Sequence, residues 1–410
     1  MKIACFHLMP YRDLAPDFEK KYKSAWFSLP FDEVADAGRV SSYYNWTLDE
    51  LIYAAQSGFD GVCTNEHHQN AYGFMVNPNM MGSVLARATR GKSTAIIQMG
   101  ETAVFLNPPI RVAEEYAMLD CIAEGRLVAG FPVGLGGDFS YSYGMAPIEQ
   151  RGRYYEAHDL IKRAWTSSEV FAWNGQYYQL PMVNIWPKPA QRPHPPIWVP
   201  GNASPSTWDF VIKHDYSYCY LTYFGAKGAG HMVNGYWNRA EELGRDRNPY
   251  RMGFLVPVGV AETDAQAEAD YAHAAEYLYH KGLHLPEQLL APPGHMTYSS
   301  LSHLITKRPF PPFEDLQRLK YREFNDRDYV VCGSIKNVTE RLIDIVKTLR
   351  VGHLMILPQF GSLSHEKTIE NIDRIAKNVL PHLRGMWDDE GWEDHWWPRA
   401  AVPQQARAAA

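Results

Sequence analysis

Apolar positions along the chain alternate between two spacings. Short runs rich in Ile, Val and Leu give way to stretches where apolar residues recur every three or four positions, as Leu48, Leu51, Ile52 and Ala55 do within residues 47–57. The first spacing predicts strands and the second amphipathic helices. A strand over 3–8 is thus followed, after a long interruption, by a helix over 47–57 closed by Gly58. The alternation continues with strands over 61–64, 95–99 and 127–131 and helices over 78–89, 109–123 and 149–165. The second half adds strands over 197–199, 216–221, 252–260 and 353–357, with helices over 206–213, 229–243 and 265–281 and a last one through Leu380. Eight strands alternating with helices close a (β/α)8 TIM barrel better than they fill a doubly wound sheet.

Three segments break the repeat: 11–45, the Pro- and aromatic-bearing 282–328, and the Trp-rich then Ala-rich 385–410. Long loops in a barrel sit over its C-terminal face, and 282–328 is the lid candidate, with a surface or dimer-contact insertion as the other reading. The expected layout is one barrel domain over 1–384 and a tail over 385–410 whose last ten residues are disordered.

Composition narrows the class. At 410 residues and 46% hydrophobic, the chain can bury a core of barrel size. A net charge of −6 without long basic runs argues against a nucleic-acid partner. The five cysteines are scattered, read as buried small apolar residues, and support neither a disulfide framework nor a zinc site. The start lacks a leader pattern, and no apolar run approaches the roughly 18–20 residues of a membrane span; no membrane contact and a cytoplasmic location are expected.

In a barrel only residues just beyond each strand reach the functional face. Asn65-Glu66-His67-His68 follows the second strand, where a carboxylate and two imidazoles offer a general base near neutral pH. A polar network without catalysis is the alternative. Metal ligation is disfavoured, because adjacent histidines rarely reach one ion and no H-x-x-x-H spacing accompanies them. After the fourth strand, Gly130 to Asp138 is glycine-rich and leads to Glu149-Gln150-Arg151-Gly152-Arg153-Tyr154, a loop, helix start and guanidinium able to cradle a phosphate. After the fifth, Gly201-Asn202-Ala203-Ser204-Pro205-Ser206 caps its helix or donates to that phosphate. Trp26, Phe27, Tyr43, Tyr44, Tyr72, Phe74 and Tyr298 are candidates for an apolar substrate wall.

These residues, in this order, resemble the bacterial luciferase-like flavin monooxygenases. The resemblance runs through Phe59-Asp60-Gly61 to Glu66-His67-His68, then Arg111-Val112-Ala113-Glu114-Glu115, Leu119-Asp120 and Glu124-Gly125-Arg126. It continues through Trp173 to Tyr178, Pro187-Lys188-Pro189, Pro195-Pro196-Ile197-Trp198, Gly333-Ser334 and Phe360-Gly361 to Pro381, covering residues 1–384. It implies a homodimeric barrel monooxygenase that takes reduced FMN from a separate NAD(P)H:flavin reductase, uses O2 as co-substrate through a flavin C4a-(hydro)peroxide, and oxidises a small, hydrophobic organic molecule. The absence of a G-x-G-x-x-G unit fits that division of labour. Carried over by position, His67 is the catalytic histidine, with His68 a second candidate beside it. Glu66, Glu101 and Thr102 lie at the flavin ring, and Leu135, Gln150, Arg153, Tyr154 and Ser204 at the phosphate. Pro132 and Val133 depart from luciferase proper, which has a reactive cysteine and a phosphate-binding arginine there; Arg153 is the expected replacement charge. F420-dependent reductases of the same superfamily and a non-catalytic flavin-binding subunit are the alternatives.

Overall fold

A strand covered on both faces must be apolar nearly throughout, and that requirement explains the short hydrophobic runs. The computed structural model of the chain describes residues 1–403 apart from 103–107, 203, 291 and 308–312. Its strands are β1 (Lys2–Phe6), β2 (Gly61–Thr64), β3 (Ala95–Gln98), β4 (Leu127–Gly130), β5 (Phe171–Asn174), β6 (Gln179–Val183), β7 (Ile197–Gly201), β8 (Ser217–Tyr220), β9 (Met252–Ala261), β10 (Val331–Ser334) and β11 (His353–Leu357). Eight of them close a parallel barrel in the order β1-β2-β3-β4-β7-β8-β9-β11, with β11 returning to β1. The fold is the (β/α)8 barrel.

Alternation sorts the strand residues. Phe6, Cys63, Ile97, Val128, Trp198, Cys219, Leu255 and Met355 belong to the core inside the barrel. Their neighbours Cys5, Val62, Ile96, Leu127, Val199, Tyr218, Phe254 and Ile356 pack outward under the helices.

Those helices are α1 (Ala37–Ser57), α2 (Pro78–Ala88), α3 (Ile110–Ile122), α4 (Gly136–Tyr143), α5 (Pro147–Thr166), α6 (Pro205–His214), α7 (Gly225–Glu242), α8 (Asp264–Tyr277), α9 (Tyr298–Lys307), α10 (Ile335–Leu349) and α11 (His365–Asn378).

Several boundaries differ from the sequence reading. Helix α1 starts ten residues early, because Asp36 caps it, accepting from Arg39 N–H at 2.8 Å, while its first turns carry too few apolar residues to show a stripe. Strand β10 went unread as a strand. It is four residues long and pairs only with the C-terminal half of β9, Val331 opposite Val258, outside the barrel ring. Four cysteines are buried as expected, but Cys121 is exposed on the outer side of α3.

Residues 385–403 pack across the N-terminal mouth of the barrel. Trp396 and Trp397 are buried, Trp198 Nε1 donates to Trp396 O at 2.9 Å, and the Trp397 ring stacks on His353 at the start of β11. The expected disorder of the last ten residues falls largely on 404–410, outside the described residues. This plug leaves the opposite, C-terminal mouth as the open end.

Candidate active site

The ends of β2, β3, β4 and β7 deliver the chemistry-bearing side chains to that mouth. Beyond β2, Gln69 takes φ 55°, a left-handed step that reverses the chain after His68. The two histidines find different partners, as adjacent side chains on extended backbone point to opposite sides. His67 Nδ1 lies 2.7 Å from Asp138 Oδ2 in the first turn of α4, and its ring is held edge-on by Trp26 and Tyr72, which stack on each other at 3.9 Å. His68 turns to Glu66, Nε2 to Oε1 at 2.9 Å, with Tyr143 OH 3.4 Å from its Nδ1. Both His68 nitrogens are thereby engaged, whereas Asp138 occupies one of His67's.

Glu66 spends its other oxygen on the third strand's loop, accepting from Thr102 N–H at 2.7 Å. Glu101 is buried beside it and hydrogen-bonded by Asn79, which also reaches Glu115. Burial, then the nearby carboxylates Glu115 and Glu66, push the Glu101 carboxyl well above the usual carboxylate range, outweighing the Asn79 bond. A cavity of about 250 Å³ opens here, lined in part by Glu66, Glu101, Glu115, Arg111 and Tyr143. The Thr102 hydroxyl is buried without a hydrogen-bond partner among the described residues.

The expected phosphate residues divide. Leu135 is the N-cap of α4 and Ser204 that of α6. Tyr154 is buried, its hydroxyl donating to Phe131 O at 2.8 Å just beyond the end of β4. Gln150 has both ends in use, donating to Val133 O at 2.7 Å and meeting His295 Nδ1 with its Oε1 at 2.9 Å. Arg153 turns outward, its Nε bonded to Glu149 at 2.9 Å and its guanidinium over the Tyr177 ring. Arg151 has no such anchor: its Nε and Nη1 are buried without a hydrogen-bond partner among the described residues. A buried guanidinium with orphaned donors is costly unless an anion completes it.

A single stretch of the 282–328 insertion crosses this region. Gly137 lies against Leu289 O, where a Cβ would stand 1.6 Å away, and Gly294 lies against Ile148 in the first turn of α5. Ser204 Oγ does not cap its own helix. It meets Ser300 Oγ at 2.8 Å, and Ser206 Oγ reaches Thr297 and Ser300 at 3.2 and 2.9 Å. Leu289, Gly294, Thr297 and Ser300 of this strap thus lie against the N-termini of α4, α5 and α6. His295 in this strap is lowered to about 4 by burial and then by the neighbouring Arg151 charge, so it is neutral at pH 7.

Of the aromatic wall, Trp26 and Tyr72 stand at His67, and Phe27 packs edge-on with Tyr141. Tyr43, Tyr44 and Phe74 pack on one another instead, and Tyr298 is 88% exposed.

A parallel barrel whose strand ends bring together an acid-anchored histidine, a cluster of carboxylates and a cavity has the form of an enzyme. The luciferase-like monooxygenase family model matches residues 30–308, and the chain belongs to that family. Among curated relatives, the oxygenase component of a flavin-dependent trigonelline monooxygenase from Acinetobacter baylyi is 29% identical over 188 residues, 45% of this chain; the match spans 50% of that relative's length. The oxygenating constituent of 3,6-diketocamphane monooxygenase from Pseudomonas putida, solved with FMN, superposes with a TM-score of 0.66 at 17% identity, covering 93% of this chain and 98% of that one. An F420-dependent secondary alcohol dehydrogenase superposes with a TM-score of 0.61 at 17% identity, covering 93% and 99%.

Proposed function

We propose that this chain is the oxygenase component of a two-component system, using reduced FMN and O2 to oxidise a small, hydrophobic organic substrate. The observation that carries the cofactor part is the Arg151 guanidinium near His295 of the strap, whose buried Nε and Nη1 find no hydrogen-bond partner among the described residues. Those donors suit a phosphate monoester, with Leu135 and Ser204, the N-caps of α4 and α6, as further candidates to hold it. Glu66, Glu101 and Thr102 then border the ring at the ends of β2 and β3. Reduced FMN, when bound, supplies the electrons and activates oxygen. The chain binds and orients it through Arg151 and the strand-end loops, and excludes water with Trp26, Tyr72 and the strap. His67, through Nε2, accepts or returns a proton at the reacting centre, while His68 holds Glu66 in place.

That the Acinetobacter relative is an oxygenase component supports a separate NAD(P)H:flavin reductase as partner. Exposed Met80 and Val84 on α2, with Met118 on α3, supply an apolar face for a second copy, in line with a homodimer. The described residues of the 282–328 insertion serve as the lid of the site, with Leu289, Gly294, Thr297 and Ser300 along its inner edge.

The test supplies purified chain with photoreduced FMN and O2, or with reduced F420, across hydrophobic ketones, aldehydes and aromatics. Oxygen-dependent product with FMN alone is the expected result; turnover with F420 and none with FMN overturns the reading.

A further inference from the structure

Every hydrogen-bond group around His67 has its polarity set by its neighbour. Gly73 N–H donates to Asn70 Oδ1 at 3.0 Å, which fixes the Asn70 amide. Its Nδ2 is therefore the end that faces His68 O at 2.8 Å and Asp138 Oδ1 at 3.1 Å. The second Asp138 oxygen, Oδ2, is left for His67 Nδ1. A carboxylate oxygen only accepts, so Nδ1 carries the proton and, in the neutral ring, Nε2 carries the lone pair. The Asp138 side chain is 1% exposed and the His67 side chain 12%. The anchor is thus sealed while part of the imidazole remains reachable. Trp26 and Tyr72 meet the ring at 79° and 84°, which blocks rotation about the Cβ bond. Gly73 would place a Cβ 3.1 Å from His67 Cδ2, so a side chain there would crowd the ring.

We propose that Asp138 is the positioning residue of the active site, holding His67 as its Nδ1–H tautomer so that Nε2 meets the reacting centre as a base. The relay Gly73–Asn70–Asp138–His67 does this with no charge other than the Asp138 carboxylate. Its effect on turnover rests on the oxygenase reading above; its effect on the tautomer does not.

Asp138→Asn is the informative change. Asn70 Nδ2 needs an acceptor, so the new side-chain oxygen faces Asn70 and its NH2 faces His67 Nδ1. The imidazole proton must then move to Nε2. The measurement is the ¹⁵N spectrum of histidine-labelled protein without cofactor, the His67 signals assigned by their loss in His67→Gln. Wild type is expected to show a protonated Nδ1 and a bare Nε2, and Asp138→Asn the reverse. In turnover, Asp138→Asn is expected to lower kcat by roughly 10²–10⁴-fold with FMN affinity unchanged within about threefold, and Asp138→Glu to recover part of it. A bare Nδ1 in wild type, an unchanged tautomer in Asp138→Asn, or an inverted tautomer with full kcat would each overturn the proposal. The expected tautomers in a wild-type protein that fails to oxidise any substrate with reduced FMN and O2 would uphold the relay's geometry and sink the oxygenase reading instead.

Discussion

Arg151→Met separates a binding guanidinium from a structural one. Methionine keeps most of the side chain's length and apolar body while deleting the charge and every donor. In the cofactor-free protein Arg151 buries Nε and Nη1 without partners; each orphaned donor costs about 1–3 kcal/mol, more where charge is involved. Removing them is therefore expected to leave thermal stability unchanged or to raise it, the opposite of the usual buried substitution. With FMN present the sign reverses. Charge-assisted bonds from a guanidinium to a phosphate contribute about 1.5–3 kcal/mol each, and two that share one anion do not fully add, so a net loss of about 2–4 kcal/mol is expected. That is roughly a 30- to 1,000-fold rise in Kd. Riboflavin carries the same ring without the phosphate, so its affinity should not move. Titration calorimetry of FMN and riboflavin, with scanning calorimetry of the free protein, reads all three quantities. Arg153→Met is the control: it loses the Glu149 pair and the Tyr177 ring contact, and FMN affinity should hold. Equal weakening of FMN and riboflavin, a fall in free-protein stability, or an FMN effect confined to Arg153→Met would refute the assignment.

Glu101→Gln should stabilise the protein at pH 7–8. The raised carboxyl holds a proton in the folded state that the unfolded chain releases above its ordinary value near 4.3, so wild-type stability falls as pH rises from there; the gain should vanish toward pH 4 in urea unfolding. Glu50 carries the opposite sign. Burial would raise it, but Arg12, His365 and His7 together hold it to about 2, so its contribution, of order 3 kcal/mol, is present above about pH 4.5 and lost as pH falls toward 2. Urea midpoints of wild type between pH 7 and 3 should show that loss. Trp397→Ala opens the plug at the N-terminal mouth and should cost about 3–5 kcal/mol, read from chemical unfolding, with FMN affinity unchanged in the folded protein.

The barrel was legible because each of its strands is covered on both faces, which writes a short, nearly continuous apolar run into the chain. β10 escaped because Val331–Ser334 is short, ends in Gly333-Ser334 and follows an irregular insertion. The strand-end filter found Glu66, His67 and His68 for a physical reason: only those positions reach the open mouth. It could not find Asp138, which lies 71 residues from His67 in sequence and meets it only once β2 and β4 have taken their places in one barrel. The adjacency of His67 and His68 implies that their side chains diverge, but not that His68 anchors Glu66 while His67 faces Asp138.

The two arginines of Glu149 to Tyr154 were separable in principle. Along α5, Gln150, Tyr154, Ala157, His158 and Ile161 are buried, which sets the core-facing stripe. Arg153 stands four residues after Glu149, the spacing at which a helix joins a carboxylate to a guanidinium on its surface, and that pair forms. Arg151 has no acidic residue three or four positions away on either side: Pro147, Ile148, Tyr154 and Tyr155 occupy them. A cation that its own helix cannot satisfy, in the second turn of a helix that follows a glycine-rich strand end, must look outside the helix for its partner. The Arg151 Nε and Nη1 are buried without a partner among the described residues, and those are the donors the proposed phosphate would satisfy.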